Sequence, residues 1–369
     1  MHAFIFFAIN DTMIKISERL SNMKKIDERD TMFARIARKK QTQQYRDYYT
    51  RNPDLEKTDE VLRKLPPMGD EHSRFYDPIR SLHIDAGFQF LADIRHLSEL
   101  HQGTNEKVVG TSKTFTEHIK QIANFYGAKL VGITTETNHF YSYRGRHDIN
   151  YGDKIHEDLP NTIVFAVEMD QSSIQKAPQL EQSVAVVKGY VDAAVIGMIL
   201  SYSIRALGYQ ARNHMDGNYL MVLPLAAKNA GLGDIGRNGL LVTKEYGSRI
   251  RLGAVTTDLP LSADSISDLR MDEFCLECGL CATYCPAKAI STNITRSNDK
   301  IHWTIDDVKC YGKWQEFGTD CGMCVAICPF SLPLSKSDVE SYIENPQKAT
   351  KIIDEYKNNI RKRNQTKTP

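Results

Sequence analysis

The chain has 369 residues, 41% hydrophobic and 25% charged, with a formal net charge of +1 at pH 7. Such a length suggests two or three domains and a sizeable core. The near-neutral balance argues against a one-sign field that would recruit nucleic acid or an anionic membrane.

In chain order, Met1 to Ile9 is apolar, too short for a bilayer span, and lacks a basic flank or cleavage site, which predicts a strand or packing arm. No Arg-Arg pair occurs, so the expectation is a cytoplasmic protein without a twin-arginine export signal or evident membrane anchor. Residues 10 to 70, broken by Pro53 and Pro66-Pro67 and carrying the basic run Arg35 to Lys40, read as a solvated arm draped over the core. Tyr76 to Leu100 reads as mixed helix and loop. Thr114 and Glu117 form a candidate capping box for a helix through Phe115, Ile119, Ile122, Ala123 and Tyr126, stopped by Gly127.

Lys129 to Ile133 and Thr162 to Met169 read as buried strands. The long stretch between them holds His139, Tyr141, Tyr143, Arg144, Arg146, His147 and Tyr151, which predicts a lid or cofactor-binding loop, with a plain surface loop as the alternative. Val184 to Leu207 reads as a helix closed by Gly208, and its apolar run Ala193 to Leu200 suits a core helix rather than a span. Around Tyr190 the residues Ala193, Ala194 and Gly197 strip one side of bulk, which fits either another helix or a flat ligand. Strands are expected at Tyr219 to Leu223 and Arg251 to Val255. Between them, Gly231, Gly233 and Gly236 spell GxGxxG without the strand and helix a dinucleotide site needs, so they read as a backbone cradle. Ser335 to Pro369 reads as one or two polar helices.

All eight cysteines lie between Cys275 and Cys328. Three thiolates two residues apart can wrap one [4Fe–4S] cube while a fourth, before proline, turns to the other cube. That assigns Cys275, Cys278, Cys281 and Cys328 to a first cluster and Cys285, Cys310, Cys321 and Cys324 to a second. Disulfides suit small secreted scaffolds, and structural zinc needs no such proline. The ten residues between Cys310 and Cys321 replace the usual two, so they are expected to loop out, with Trp314 shielding the cluster.

Several segments together resemble the corrinoid-dependent reductive dehalogenases: Asp27 to Arg35, Pro66-Pro-Met68, Ile204 to Tyr209, Ala230 to Gly239, Glu245 to Arg251, Thr257 to Pro260, Lys309 to Trp314 and Gly318 to Gly322. The resemblance implies an α+β fold, a nitroreductase-like corrinoid-binding core followed by a ferredoxin-like domain with two [4Fe–4S] clusters. On that footing residues 1–75 form an N-terminal arm, 76–265 the catalytic domain, 266–335 the ferredoxin-like domain and 336–369 a helical tail. It further implies a base-off cobamide, with cob(I)amide as reductant of an organohalide and a tyrosine as proton donor. By position the donor is Tyr190, ahead of Tyr202. Arg249 matches the supporting base, with Arg251 competing. Asp216 or Asn218 matches a polar residue lining the pocket. Tyr141, Tyr143, the three glycines and Arg251 complete the expected cofactor contacts. A guanidinium beside the phenol stabilises phenolate and makes a better acid. The Asp-x-His-x-x-Gly corrinoid-ligand pattern is absent, as expected if no histidine binds cobalt.

The expected partners are a low-potential donor such as ferredoxin or flavodoxin and, for assembly, a homodimer. Two other functions compete. Epoxyqueuosine reductases share the double-cluster layout but act on tRNA, and no basic stripe is evident. A non-catalytic electron-transfer subunit would not need the roughly 200 residues that precede the clusters.

Overall fold

The computed structural model describes residues 25–365 except 100–101, 148–149, 157, 298–299, 333 and 335, so the strand or arm expected at Met1 to Ile9 lies outside the described residues. Three helices open the chain: α1 (Met32–Ala37), α2 (Gln43–Arg51) and α3 (Pro53–Arg63). Thr31 and Thr42 cap the first two through their hydroxyls, and proline opens the third. These helices correct the solvated-arm expectation for residues 25–65. Arg35 and Arg38, one turn apart, point inward, while Lys39 and Lys40 stay exposed. A run of like charge in the sequence is divided by the helix between two faces, and guanidinium groups tolerate burial where acceptors meet them. Arg35 meets Asp59 at 2.6 Å, and Arg38 donates to the Arg29 carbonyl at 2.7 Å.

Within Tyr76 to Leu100 the helical part is one continuous helix, α4 (Pro78–Ile94), followed by a short 3-10 turn at Arg95–Ser98. Asp77 caps α4 by accepting from Ile79 N and Arg80 N, and Ser81, Ile84, Phe88 and Leu91 recur at helical spacing on its buried face. α5 (Ser112–Phe125) starts earlier than the expected capping box: Thr111 is the cap, accepting from Thr114 N at 3.1 Å, and the chain turns away at Gly127 with φ +108.

A four-stranded antiparallel sheet in the order β1-β2-β6-β3 forms the centre. Its strands are β1 (Leu130–Thr134), β2 (Asn161–Glu168), β3 (Ala211–His214) and β6 (Ile250–Thr257). β2 and β6 are buried almost throughout; β2 accordingly carries a continuous apolar run from Ile163 to Val167, while β6 also buries Arg251 and two threonines. The strand expected at Tyr219 to Leu223 shrinks to a bridge between Met221 and Phe140, because Leu223 and Pro224 open the helix α7 (Leu223–Asn229). β3 has only four residues and mixed polarity, so its period is too short to read. β4 (Asp234–Ile235) and β5 (Leu241–Val242) make a small hairpin from the glycine-rich segment.

α6 (Leu180–Ala206) packs along the sheet and against α4. It is long and apolar enough to cross a membrane, yet most of its apolar window is buried inside the fold. Its small residues face the sheet, Gly189 against Arg251, Gly197 against Asn213 and Ala193 beside Gly253. The missing bulk therefore admits strands, neither of the two occupants expected from the sequence.

The cysteine-bearing part follows, with α8 (Met271–Cys278), short helical turns at Leu280–Tyr284 and Met323–Ala326, and α9 (Asp307–Phe317). Two closing helices, α10 (Lys336–Glu344) and α11 (Ala349–Gln365), bury Val339, Tyr342, Ile352 and Ile353 against Met271, Phe274 and Phe330.

Candidate functional site

Cys275, Cys278, Cys281 and Cys328 wall one cavity, together with Gly236, Arg237, Asn238 and Phe274. Cys285, Cys310, Cys321 and Cys324 wall a second, with Leu240, Ile305, Trp314 and Asp320. None of the eight is in a disulfide. Main-chain N–H groups already point at sulfur in both: Arg237 N lies 3.3 Å from Cys275 Sγ, and Ala289 N lies 3.3 Å from Cys285 Sγ. Burial pushes the Cys281, Cys321 and Cys328 thiols up to about 12, so as bare thiols they hold their protons. A cationic group among them reverses that preference. Among the described residues no three side chains are set to grip a single ion, whereas four sulfurs around each cavity suit a polynuclear cluster.

Two expectations change here. The glycine-rich segment cradles the first cysteine cavity rather than a corrinoid: a Cβ on Gly236 would sit 3.8 Å from Cys275 Sγ. Gly231 (φ +78) turns beside the Ser265 carbonyl and Gly233 beside that of Val242, so both serve close approach of the chain to itself. The insertion before Cys321 does not loop out. Asp306 caps α9, Cys310 lies in its first turn, Trp314 follows one turn later and is buried, and Gly318 (φ +70) ends the helix. Ten residues fit because a helix rises only about 1.5 Å per residue.

Beside the second cavity lies a buried polar cluster. Tyr190 comes from α6, Asp216 and Tyr219 from the turn after β3, Arg251 from β6 and Asp320 from the loop before Cys321. The Arg251 guanidinium lies over the Tyr190 ring, 4.7 Å from its centroid. Gln182 and Ser183, two turns before Tyr190, touch Gly322 and Asp320; Ser183 Oγ accepts from Asp320 N at 3.1 Å. Four buried polar atoms here have no hydrogen-bond partner among the described residues: Tyr190 Oη, Asp216 Oδ1, Asp320 Oδ2 and Gln182 Nε2. Each unsatisfied group costs about 1–3 kcal/mol, so four in one place mark a spot where water, an ion or a ligand would complete the bonding.

Electrostatics follow from burial. It pushes Tyr190 above the usual phenol value, while the Arg251 charge pulls the other way. Burial raises Asp216 to about 6 against the pull of Arg146, Arg95 and Arg251, and Asp320 to about 6 as well, with Arg251 opposing. Asp216 thus binds its proton more tightly folded than unfolded, so its contribution to stability is whole below about pH 4 and falls as pH rises through 6. Asp216→Asn is expected to remove about 2 kcal/mol of that fall between pH 4.5 and pH 7, since each tenfold gain in proton affinity on folding is worth about 1.4 kcal/mol, and to leave the part due to Asp320. Urea unfolding at those two pH values measures it; an unchanged pH slope would contradict the raised carboxyl.

Other expected contacts separate from this centre. Arg249 bonds elsewhere, donating to Glu168 Oε1 at 2.9 Å, Met169 O at 2.7 Å and Ser331 O at 2.7 Å, so the guanidinium found over Tyr190 is that of Arg251. Asn218 is locked by Arg144 and Arg212 at 2.8 Å each and by Glu99 at 2.7 Å, which leaves Asp216 as the member of that pair facing Tyr190. Tyr143 is exposed under Arg29, 4.5 Å from ring centroid to guanidinium, and Tyr141 packs against Ile26, Val222 and Leu225 while its N–H donates to Leu220 O. Tyr202 is 54% exposed and stacked with Arg205, which removes it from the buried centre. The stretch between β1 and β2 folds inward through His147, whose Nε2 meets Gly217 O at 2.5 Å, and through Arg146. Asp320, Gln182 and Arg95 are not legible as site residues in the sequence. The only available signal is an aspartate directly before a ligand cysteine.

Residues 274–332 match the 4Fe-4S dicluster domain. The chain is 40% identical over 131 residues to the tetrachloroethene reductive dehalogenase of Dehalobacter restrictus (36% of this chain, 23% of that protein). It is 32% identical over 237 residues to the enzyme of that name from Sulfurospirillum multivorans (54% and 47%). The chain is a relative of the reductive dehalogenases. Its fold is theirs too: the catabolic reductive dehalogenase NpRdhA superposes with TM-score 0.70 at 20% identity, covering 95% of this chain and 47% of that one. Another reductive dehalogenase structure, described as suggesting a mechanism for B12-dependent dehalogenation, superposes with TM-score 0.63 at 22% identity (80% and 45%). Epoxyqueuosine reductase of Escherichia coli is 31% identical over 156 residues (37% and 38%). The chain thus spans about half the length, or less, of the reductive dehalogenases it matches.

Proposed function

We propose that the chain is a cobamide- and iron–sulfur-dependent reductase that removes halide from an organohalide, with Tyr190 as proton donor. The observation that carries this reading is the cluster of unpartnered buried atoms around Tyr190, directly beside the second cysteine cavity. Relatives named for tetrachloroethene reduction support the substrate class.

The orphaned atoms fit a large group with a polar edge. Gln182, Asp216 and Asp320 would hold a corrinoid in place. A corrinoid when bound supplies a strong reductant for the carbon–halogen bond. The net change replaces carbon–halogen by carbon–hydrogen: two electrons and one proton enter, and one halide leaves. Tyr190 Oη holds the proton that balances this sum. Its O–H donates to no protein acceptor, and its surroundings exclude water, so it keeps the proton until a strongly basic carbon is adjacent. Arg251, over the ring, stabilises the phenolate left behind. Asp320 belongs both to this cluster and to the second cavity, so we assign that cavity to the cluster nearer the reaction and the first to electron entry. A low-potential carrier such as ferredoxin or flavodoxin fits as donor, and the cytoplasm, our proposed setting, suits eight cysteines without a disulfide.

Anaerobic reconstitution with iron, sulfide and a cobamide tests the proposal. Stoichiometric corrinoid retention and halide release with a reduced donor are expected. Clusters without corrinoid would leave an electron-transfer subunit, and corrinoid retention with epoxide reduction but no halide release would favour the epoxyqueuosine reductase reading.

A further inference from the structure

The segment Asp27 to Arg35 takes no part in the site described above, yet it is tightly built. Glu28 Oε2 accepts from Gly145 N at 2.7 Å, beside Arg146, and Thr31 caps α1. Phe33 packs its ring against Tyr311 and Trp314 of α9, with centroids 5.8 and 6.1 Å apart. Arg35 lies 1% exposed between two carboxylates from separate elements. It meets Asp59 of α3 through two bonds of 2.6 and 3.1 Å and Asp307 of α9 through one of 3.2 Å. Tyr49 Oη donates to the same Asp59 at 2.8 Å, and Gln315 of α9 donates to the Leu62 carbonyl at 3.0 Å. Asp307 stands one turn before Cys310 on the same helix.

A buried guanidinium with so many bonds costs desolvation that hydrophobic packing would avoid, so stability alone is a weak account of it. We propose that Arg35 is a positioning residue for the second cysteine group: it anchors α9, which carries Cys310 and Trp314, and through its charge sets the reduction potential of the cluster bound there. The inference rests on the iron–sulfur reading of Cys285, Cys310, Cys321 and Cys324. The buried triad carries one positive and two negative charges. Without Arg35, two carboxylates face the Cys310 end of α9 uncompensated, which disfavours the more negative, reduced cluster. Without the Asp307 charge the opposite holds.

The test is an EPR-monitored redox titration of the full chain, reconstituted anaerobically, with iron content measured in parallel. Wild type should show two reduced-cluster signals, and Cys310→Ser identifies the second by perturbing it; no such signals would defeat the iron–sulfur reading rather than this inference. Arg35→Gln is expected to lower the midpoint of the second signal by about 59 mV, the equivalent of a tenfold change in the oxidised-to-reduced ratio of a one-electron couple, and to leave the first in place. Asp307→Asn should raise it, Arg35→Lys should restore most of the wild-type value, and the double variant Arg35→Gln/Asp307→Asn should fall between the single ones. Equal movement of both signals would mean general loosening of the fold, and an unmoved second signal would mean the triad does not act on the cluster; either overturns the proposal. Should Arg35→Gln not fold, Asp307→Asn decides alone, since an unshifted midpoint there is equally fatal.

Discussion

Tyr190→Phe is expected to lower the dehalogenation rate by 10²- to 10⁴-fold, the span of a lost general acid, while corrinoid and iron contents stay at wild-type levels. The change removes one oxygen from a ring held between Phe88, 5.9 Å away, and Arg251. Packing is preserved because phenylalanine fills the same space. The hydroxyl has no protein partner to lose, so without corrinoid the variant should melt at the same temperature as wild type or higher. This combination separates the proposed role from a structural one: a core tyrosine anchored by its hydroxyl would lose stability, and a spectator would lose neither. A rate within about tenfold of wild type, at full cofactor loading, would remove Tyr190 from the chemistry.

Arg249→Gln should act in the opposite way, through stability. Its guanidinium joins the end of β2, at Glu168 and Met169, to Ser331, just past Cys328, so it fastens the cysteine-bearing part to the sheet. Breaking a buried pair costs about 3–5 kcal/mol; Glu168 is 33% exposed, and water screening there lowers the expectation to about 2–4 kcal/mol. Urea unfolding with unchanged slope measures that loss. The folded fraction should retain turnover, because the cation over Tyr190 is Arg251. Undiminished stability with a hundredfold slower reaction would return Arg249 to the supporting role that the sequence suggested.

That reassignment shows where sequence reasoning ends. Arg249 and Arg251 stand two apart, and on one strand they would share a face. β6 begins at Ile250; Arg249 O still accepts from Met169 N, but Arg249 N bonds back to Tyr246 O in the preceding turn, so Arg249 sits at the edge of the ladder. Nothing in the local composition marks where the ladder starts; pairing with β2, Arg251 opposite Val167, decides it. The same holds for Arg35, which reads as part of a solvated basic run until α3 and α9 supply Asp59 and Asp307 from 24 and 272 residues away. The glycine-rich segment is the backbone cradle that its spacing suggests, but its occupant is the first cysteine cavity.

What the sequence determined by itself is what depends on local spacing. The Cys-x-x-Cys repeats and the cysteine before proline fix two groups of four, since a helical turn and a tight bend are set within a few residues, and the fold gathers those same groups around two cavities. The long apolar helix around Tyr190 and the buried strands β1 and β2 are legible too, because each carries an apolar run bounded by turn signals. Only the tertiary structure decided which charges meet. Asp216, Asp320, Arg251 and Tyr190 come from four separate elements, and their polar atoms lose water together only when the sheet, α6 and the loop before Cys321 close on one another. Desolvation is a property of that enclosure, and no residue carries it alone.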